Sequence, residues 1–212
     1  MRERELSTRV VFVRHGQTDF PIDRIYCDGI EDPALNESGM FQAKSAAAFL
    51  KDVDISAIYA SPALRTTMTA KAIAQHHNLD VEYSDALIER RFGVWDGLYF
   101  HEIERDFPDE FQQWKRDQAG FAPKGGESAY RLHERASLFL AGAIEKYRGK
   151  TVVIVSHVGP IRVLLANSMD MPIELFRSLR IDPASLSRID YGKTQNNLVF
   201  MNYVALDRLI GF

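Results

Sequence analysis

Two apolar runs, Val10–Val13 and Val152–Val155, each lead into a histidine, and the chain between them alternates short apolar runs with helical spacing. The first predicts a buried strand from about Arg9 to Arg14, ending in Arg14-His15-Gly16. A loop follows through Pro21, Asp28-Gly29 and Asp32-Pro33, and Asn36 with Ser38-Gly39 then opens a helix. Met40, Ala43, Ala47 and Leu50 fall on one face of that helix. Ile55 to Ala60 predicts a second buried strand, and Pro62 suits the first turn of a helix that turns Leu64, Met68, Ala72 and Ile73 inward and runs to about His77. Val81 to Tyr83 is a short strand before Leu87-Ile88-Glu89.

Leu98 to Gly126 is aromatic and acidic, and predicts one helix and a loop that together cap a site. A long helix carries Leu132, Ala136, Phe139, Leu140, Ala143 and Tyr147 on one side, with Gly149 at its C-terminal end. Thr151 to Ser156 is a fully apolar strand reaching His157, and Gly159-Pro160 starts the next helix through Leu164 and Leu165. Leu186 to Tyr191 and Leu198 to Val204 predict a hairpin at the sheet edge. Strands alternating with helices indicate one α/β domain over residues 1–212, with a mainly parallel sheet covered on both faces.

Composition narrows the function. Of 212 residues, 46% are hydrophobic and 26% charged, as in a soluble globular protein. The net charge of −3 argues against general attraction to nucleic acid or an anionic membrane, so an anionic substrate needs a local cationic cluster. Cys27 is the one cysteine, which rules out an internal disulfide and a cysteine-built zinc site; it reads as an ordinary loop or core residue rather than a catalytic thiol. The charged start Met1–Ser7 does not suit a signal peptide, and no run reaches the ~20 apolar residues of a membrane span, so a cytoplasmic enzyme is expected.

The candidate chemistry lies at strand ends, where open α/β sheets place their ligands. His15 and His157 each follow a buried strand, Arg65 starts a helix after another, and Glu89 follows a short apolar segment. Arginine grips phosphate in a bidentate fashion, neutral histidine is a nucleophile, and a leaving alkoxide needs a proton that Glu89 can supply. Glycine at Gly16 lets backbone approach a ligand. Together these residues make a phosphoryl-transfer site that needs no metal and no cofactor.

Six blocks in order complete the pattern: Arg14-His15-Gly16-Gln17-Thr18, Asp32 to Gly39, Ser61-Pro62-Ala63-Leu64-Arg65-Thr66, Glu89 with Phe92 to Gly97, Gly125-Gly126-Glu127-Ser128, and Ser156-His157-Val158-Gly159. The chain resembles the histidine phosphatase superfamily, the phosphoglycerate-mutase-like group with an Arg-His-Gly signature, in its phosphatase branch. The resemblance implies a three-layer α/β/α sandwich and phosphorylation of His15 on a ring nitrogen. Arg14, Arg65 and His157 would then hold the phosphoryl oxygens, with Gly16, Gln17, Thr18 and Val158 beside them. Glu89 would protonate the departing oxygen and then activate water. Two positions depart from the family: Pro21 stands where asparagine is usual, and Val158 where glycine is common.

The implied activity is hydrolysis of a small phosphate monoester. The alternatives are a mutase that shields its phosphohistidine from water, and a silent phosphate-binding regulatory protein; the presence of His15, Glu89 and His157 argues against the latter. Arg90 and Arg91 are candidates for a second anionic group on the substrate, though a pair of solvated arginines is the plainer expectation. Phe107, Phe111 and Trp114 at helical spacing suit packing, and His76, His77, His101 and His133 look structural or solvated. The apolar stretch Phe200–Phe212 suits either a homodimer contact or packing of a monomer onto its own sheet.

Overall fold

The computed structural model describes residues 7–25 and 31–205. Cys27, Asp28-Gly29, the start Met1–Leu6 and the tail beyond Ala205 lie outside the described residues. The chain forms β1 (Thr8–Arg14), α1 (Glu37–Leu50), β2 (Ala57–Ala60), α2 (Leu64–Ala74) and β3 (Val81–Tyr83). It continues through α3 (Phe100–Asp106), α4 (Pro108–Arg116), α5 (Ala129–Lys146), β4 (Thr151–Ser156), α6 (Val158–Ser168), β5 (Leu186–Tyr191) and β6 (Asn196–Tyr203). The sheet runs β3-β2-β4-β1-β5-β6, parallel as far as β1 and antiparallel across β5 and β6.

Alternation along the central strands divides the core. Val10, Phe12, Val152 and Ile154 face α5 and α6, while Val11, Val13, Val153 and Val155 face α1 and α2. This is the three-layer α/β/α sandwich that the sequence implied. Each fully buried aliphatic side chain contributes about 1.5–3 kcal/mol relative to exposure, and β4 is buried along its whole length. Among the described residues, no helix is long and apolar enough to cross a membrane.

Several expectations shift. The second strand begins at Ala57 rather than Ile55, and Pro62 precedes the N-cap residue Ala63 instead of lying within the first turn. In α2, Leu64 is 40% exposed and Met68 half-buried, while Arg65, Thr66 and Thr69 are buried. The first turns of this helix face the polar edge of the sheet, and the apolar core begins only at Ala70. The cap segment holds two helices rather than one, broken at Phe107 because Pro108 restarts the chain at the first helical position. Phe111 and Trp114 join Ile25, Trp95 and Ile103 in a separate small core under this cap. Within the C-terminal stretch, Phe200 and Tyr203 pack against Phe49, whereas Val199 and Met201 stay exposed on the edge strand β6.

Candidate active site

Strands β1 and β4 are neighbours, with Arg14 opposite Ser156. The next residue on each strand is a histidine, and the His15 amide donates to the Ser156 carbonyl at 3.0 Å. The two imidazoles therefore meet with ring centroids 5.3 Å apart and planes inclined by 63°. On the far side of β4, β2 ends at Ala60, the following Ser61 amide donates to the Val155 carbonyl, and the chain turns into α2 to present Arg65. Glu89 arrives after β3 and a 3-10 turn at Asp85–Leu87. α1 follows β1 on one face and α6 follows β4 on the other, which opens a crevice between them.

His15 Nδ1 lies 2.8 Å from the Gly16 carbonyl. A carbonyl only accepts, so Nδ1 carries the proton and Nε2 holds the lone pair. Burial, and then the charges of Arg65 and Arg14, push the His15 pKa well below the ordinary imidazole value of 6.5. The ring is neutral at physiological pH. His157 is fully buried, and burial followed by Arg65 lowers its pKa in the same way. Arg65 Nη2 donates to His157 Nδ1 at 2.8 Å, which leaves the proton on Nε2 to be given to Ser61 Oγ at 2.8 Å. Arg65 itself is only 1% exposed, and its Nη1 lies 3.7 Å from Asp32, whose carboxylate also accepts from the Leu64 amide. Arg14 Nη1 donates to the Ile181 carbonyl at 2.7 Å.

The Glu89 carboxylate accepts from the Arg90 amide at 2.8 Å and the Gly159 amide at 3.1 Å. Burial raises its pKa, while those two bonds and the charges of Arg65 and Arg14 pull in the other direction without overcoming it. Gly159 is needed here, because a Cβ on it would stand 2.2 Å from Glu89 Oε1. A Cβ on Gly16 would lie 2.5 Å from the Gly39 carbonyl, so the loop after β1 presses directly on the start of α1.

These groups line a cavity of about 350 Å³. Arg14, His15, Thr18, Arg65, Glu89 and Val158 are on its wall. Gly16 lies behind it, donating to Thr69 Oγ1, and Gln17 lies outside with its amide on Gln42. His157 is also behind the wall, so a contact from it to a phosphoryl oxygen requires exchange of its bond to Arg65 or Ser61. Arg90 reaches the wall, but its guanidinium donates to the carbonyls of Glu127, Gln118 and Phe121. Arg91 is exposed and off the wall. Pro21 lines the mouth, and His157 keeps its bonds beside Val158. His76, His77, His101 and His133 are elsewhere.

Sequence reasoning missed three arginines on this wall: Arg24, Arg162 and Arg177. Arg162 had a readable signal, since it follows Val158 by four and Gly159 by three on a helix that begins at the site. Arg177, in a 3-10 turn at Ile173–Ser178, had none. A larger hollow of about 790 Å³ beside the β5–β6 hairpin is lined by the paired Arg188 and Asp190 and, among the described residues, carries no histidine.

Comparison with known proteins identifies the family. The family model for the histidine phosphatase superfamily (branch 1) matches residues 10–204. Phosphoserine phosphatase 1 of Hydrogenobacter thermophilus is 32% identical over 195 residues, covering 92% of each chain. The chain spans about half the length of some longer relatives, among them a bifunctional protein of Mycobacterium tuberculosis. A mycobacterial glucosyl-3-phosphoglycerate phosphatase superposes with a TM-score of 0.82 at 28% identity, over 92% of this chain and 99% of that one. An alpha-ribazole phosphatase from Shigella flexneri gives 0.83 at 26%, over 92% and 96%. The chain belongs to the histidine phosphatase superfamily, branch 1.

Proposed function

We propose that this protein hydrolyses a small phosphate monoester through a phosphohistidine on His15. The observation that carries the reading is the His15 ring itself: neutral, fixed by its Nδ1 bond to Gly16, with Nε2 left to attack from the pocket wall. In the first step Nε2 bonds to phosphorus, the ester P–O bond breaks, and Glu89 gives its proton to the departing oxygen. Arg14 and Arg65 balance the charge on the transferring group. In the second step the Glu89 carboxylate takes a proton from water, the water oxygen bonds to phosphorus, and the P–N bond breaks to regenerate His15. His157 acts through Arg65, holding its guanidinium in place. The relatives named above, phosphatases of three different phosphate esters, support the hydrolase reading and leave the ester itself open.

The test is phosphate release from a panel of phosphate monoesters with chelator present, together with acid-labile labelling of the protein. The wild type should release phosphate and show transient labelling. His15→Ala should lose about a thousandfold or more in kcat/KM and all labelling. Release that survives His15→Ala, or that chelator abolishes, overturns the mechanism. A label that forms and persists in water identifies a mutase-type transfer instead.

A further inference from the structure

Among the described residues, six arginines and a single carboxylate, Glu89, stand on the wall of the active-site cavity. Four of the six already have tasks. Arg14 and Arg65 flank His15 and match a phosphoryl dianion. Arg24 pairs with Glu31 at 3.0 Å and donates to the Gly97 carbonyl, and Arg90 is engaged by three carbonyls of the cap. Arg162 and Arg177 remain. Arg162 uses Nε to hold the Leu179 carbonyl at 2.7 Å, which leaves both its Nη groups without a partner among the described residues. The Arg177 guanidinium lies 5.2 Å from the centre of the Trp114 ring and has no hydrogen bond or ion pair among the described residues.

The two cations feel each other. Burial, and then the charge of Arg177, lower the Arg162 pKa, and among the described residues no carboxylate other than Glu89 offsets it. Two partly desolvated like charges without a counterion are unfavourable unless an anion completes the set.

We propose that Arg162 and Arg177 form a second anion subsite, so that the preferred ester carries a carboxylate or a further phosphate on its organic part. The organic part then lies along Trp114 and Phe100, which line the same cavity, Trp114 beside the Arg177 guanidinium. This rests on the proposed function only for placing the phosphoryl group at His15. It also replaces Arg90 and Arg91 as the residues that meet a second anion.

The experiment uses phosphonates, which bind without being cleaved. Calorimetry on the whole protein compares an ω-carboxypropyl phosphonate, its ω-amide isostere and the bisphosphonate of the same chain length. The wild type should bind one or both of the doubly anionic compounds about tenfold or more tightly than the amide, as expected for charge-assisted hydrogen bonds. Arg162→Gln and Arg177→Gln should each shrink that preference about tenfold or abolish it. Which compound is favoured distinguishes a carboxylate from a second phosphate. Equal affinity for all three in the wild type, or a preference that survives both substitutions, overturns the subsite. A preference that appears where the ester panel yields no phosphate keeps the subsite and rejects the hydrolase.

Discussion

Glu89 is held between opposing influences, and their balance sets a pH range for turnover. Burial keeps its proton on to higher pH than an ordinary carboxyl group, whereas backbone donors and two arginines limit the rise. His15 is displaced in the other direction and stays neutral well into acid. Turnover is therefore lost as pH falls through the depressed His15 pKa, and again as pH rises through the raised Glu89 pKa. Glu89→Gln should lower kcat by about 10²–10⁴ and remove the alkaline limb from the pH profile; a limb that persists assigns the proton donor elsewhere. Gly159→Ala should act on the same group indirectly, because the new methyl occupies the carboxylate's place. Its kcat should fall with little change in KM. His15, His157 and Glu89 were legible because each ends an apolar run. Arg177 was not, since only tertiary packing turns a 3-10 segment toward a distant strand end.

Helix α2 shows how an element's buried face can be polar. Thr69 Oγ1 donates to the Arg65 carbonyl and accepts from the Gly16 amide, so it ties the helix carrying Arg65 to the loop carrying His15. The apolar periodicity that placed Leu64 and Met68 inward describes the second half of the helix and fails in the first, where the neighbour is the site rather than the core. Thr69→Val keeps the shape and removes the acceptor, which should cost about 1–3 kcal/mol in a denaturant titration. The cap is tied down in a similar way by Arg90. Arg90→Gln should destabilise by roughly 2–4 kcal/mol, since three carbonyls lose donors in a buried setting. A variant of unchanged stability but altered substrate preference would return Arg90 to the substrate. The sequence reads as a single helix over this segment; the break at Pro108 was readable in principle and was masked by the helical spacing of the aromatic residues.

For the molecule as a whole, the two buried imidazoles tie stability to pH. Below the ordinary value of 6.5 the unfolded chain takes up protons at His15 and His157 that the folded chain refuses, so stability falls as pH drops through that value. Glu89, with its raised pKa, works in the opposite sense, and the histidine contribution is best measured in Glu89→Gln. Urea midpoints for that variant should decrease from about pH 7 to pH 5. A flat profile would mean that the rings are protonated in place.

The strand order was the least legible feature, because nothing local in β4 indicates that it inserts between β1 and β2. That insertion also has a kinetic consequence. The two histidines belong to neighbouring strands far apart in the sequence, so the catalytic pair exists only after a long loop has closed. Helices form early, and such non-local pairings come late. On refolding from urea, phosphatase activity should lag the recovery of helical circular dichroism, and turnover would serve as a clock for the closing of the sheet.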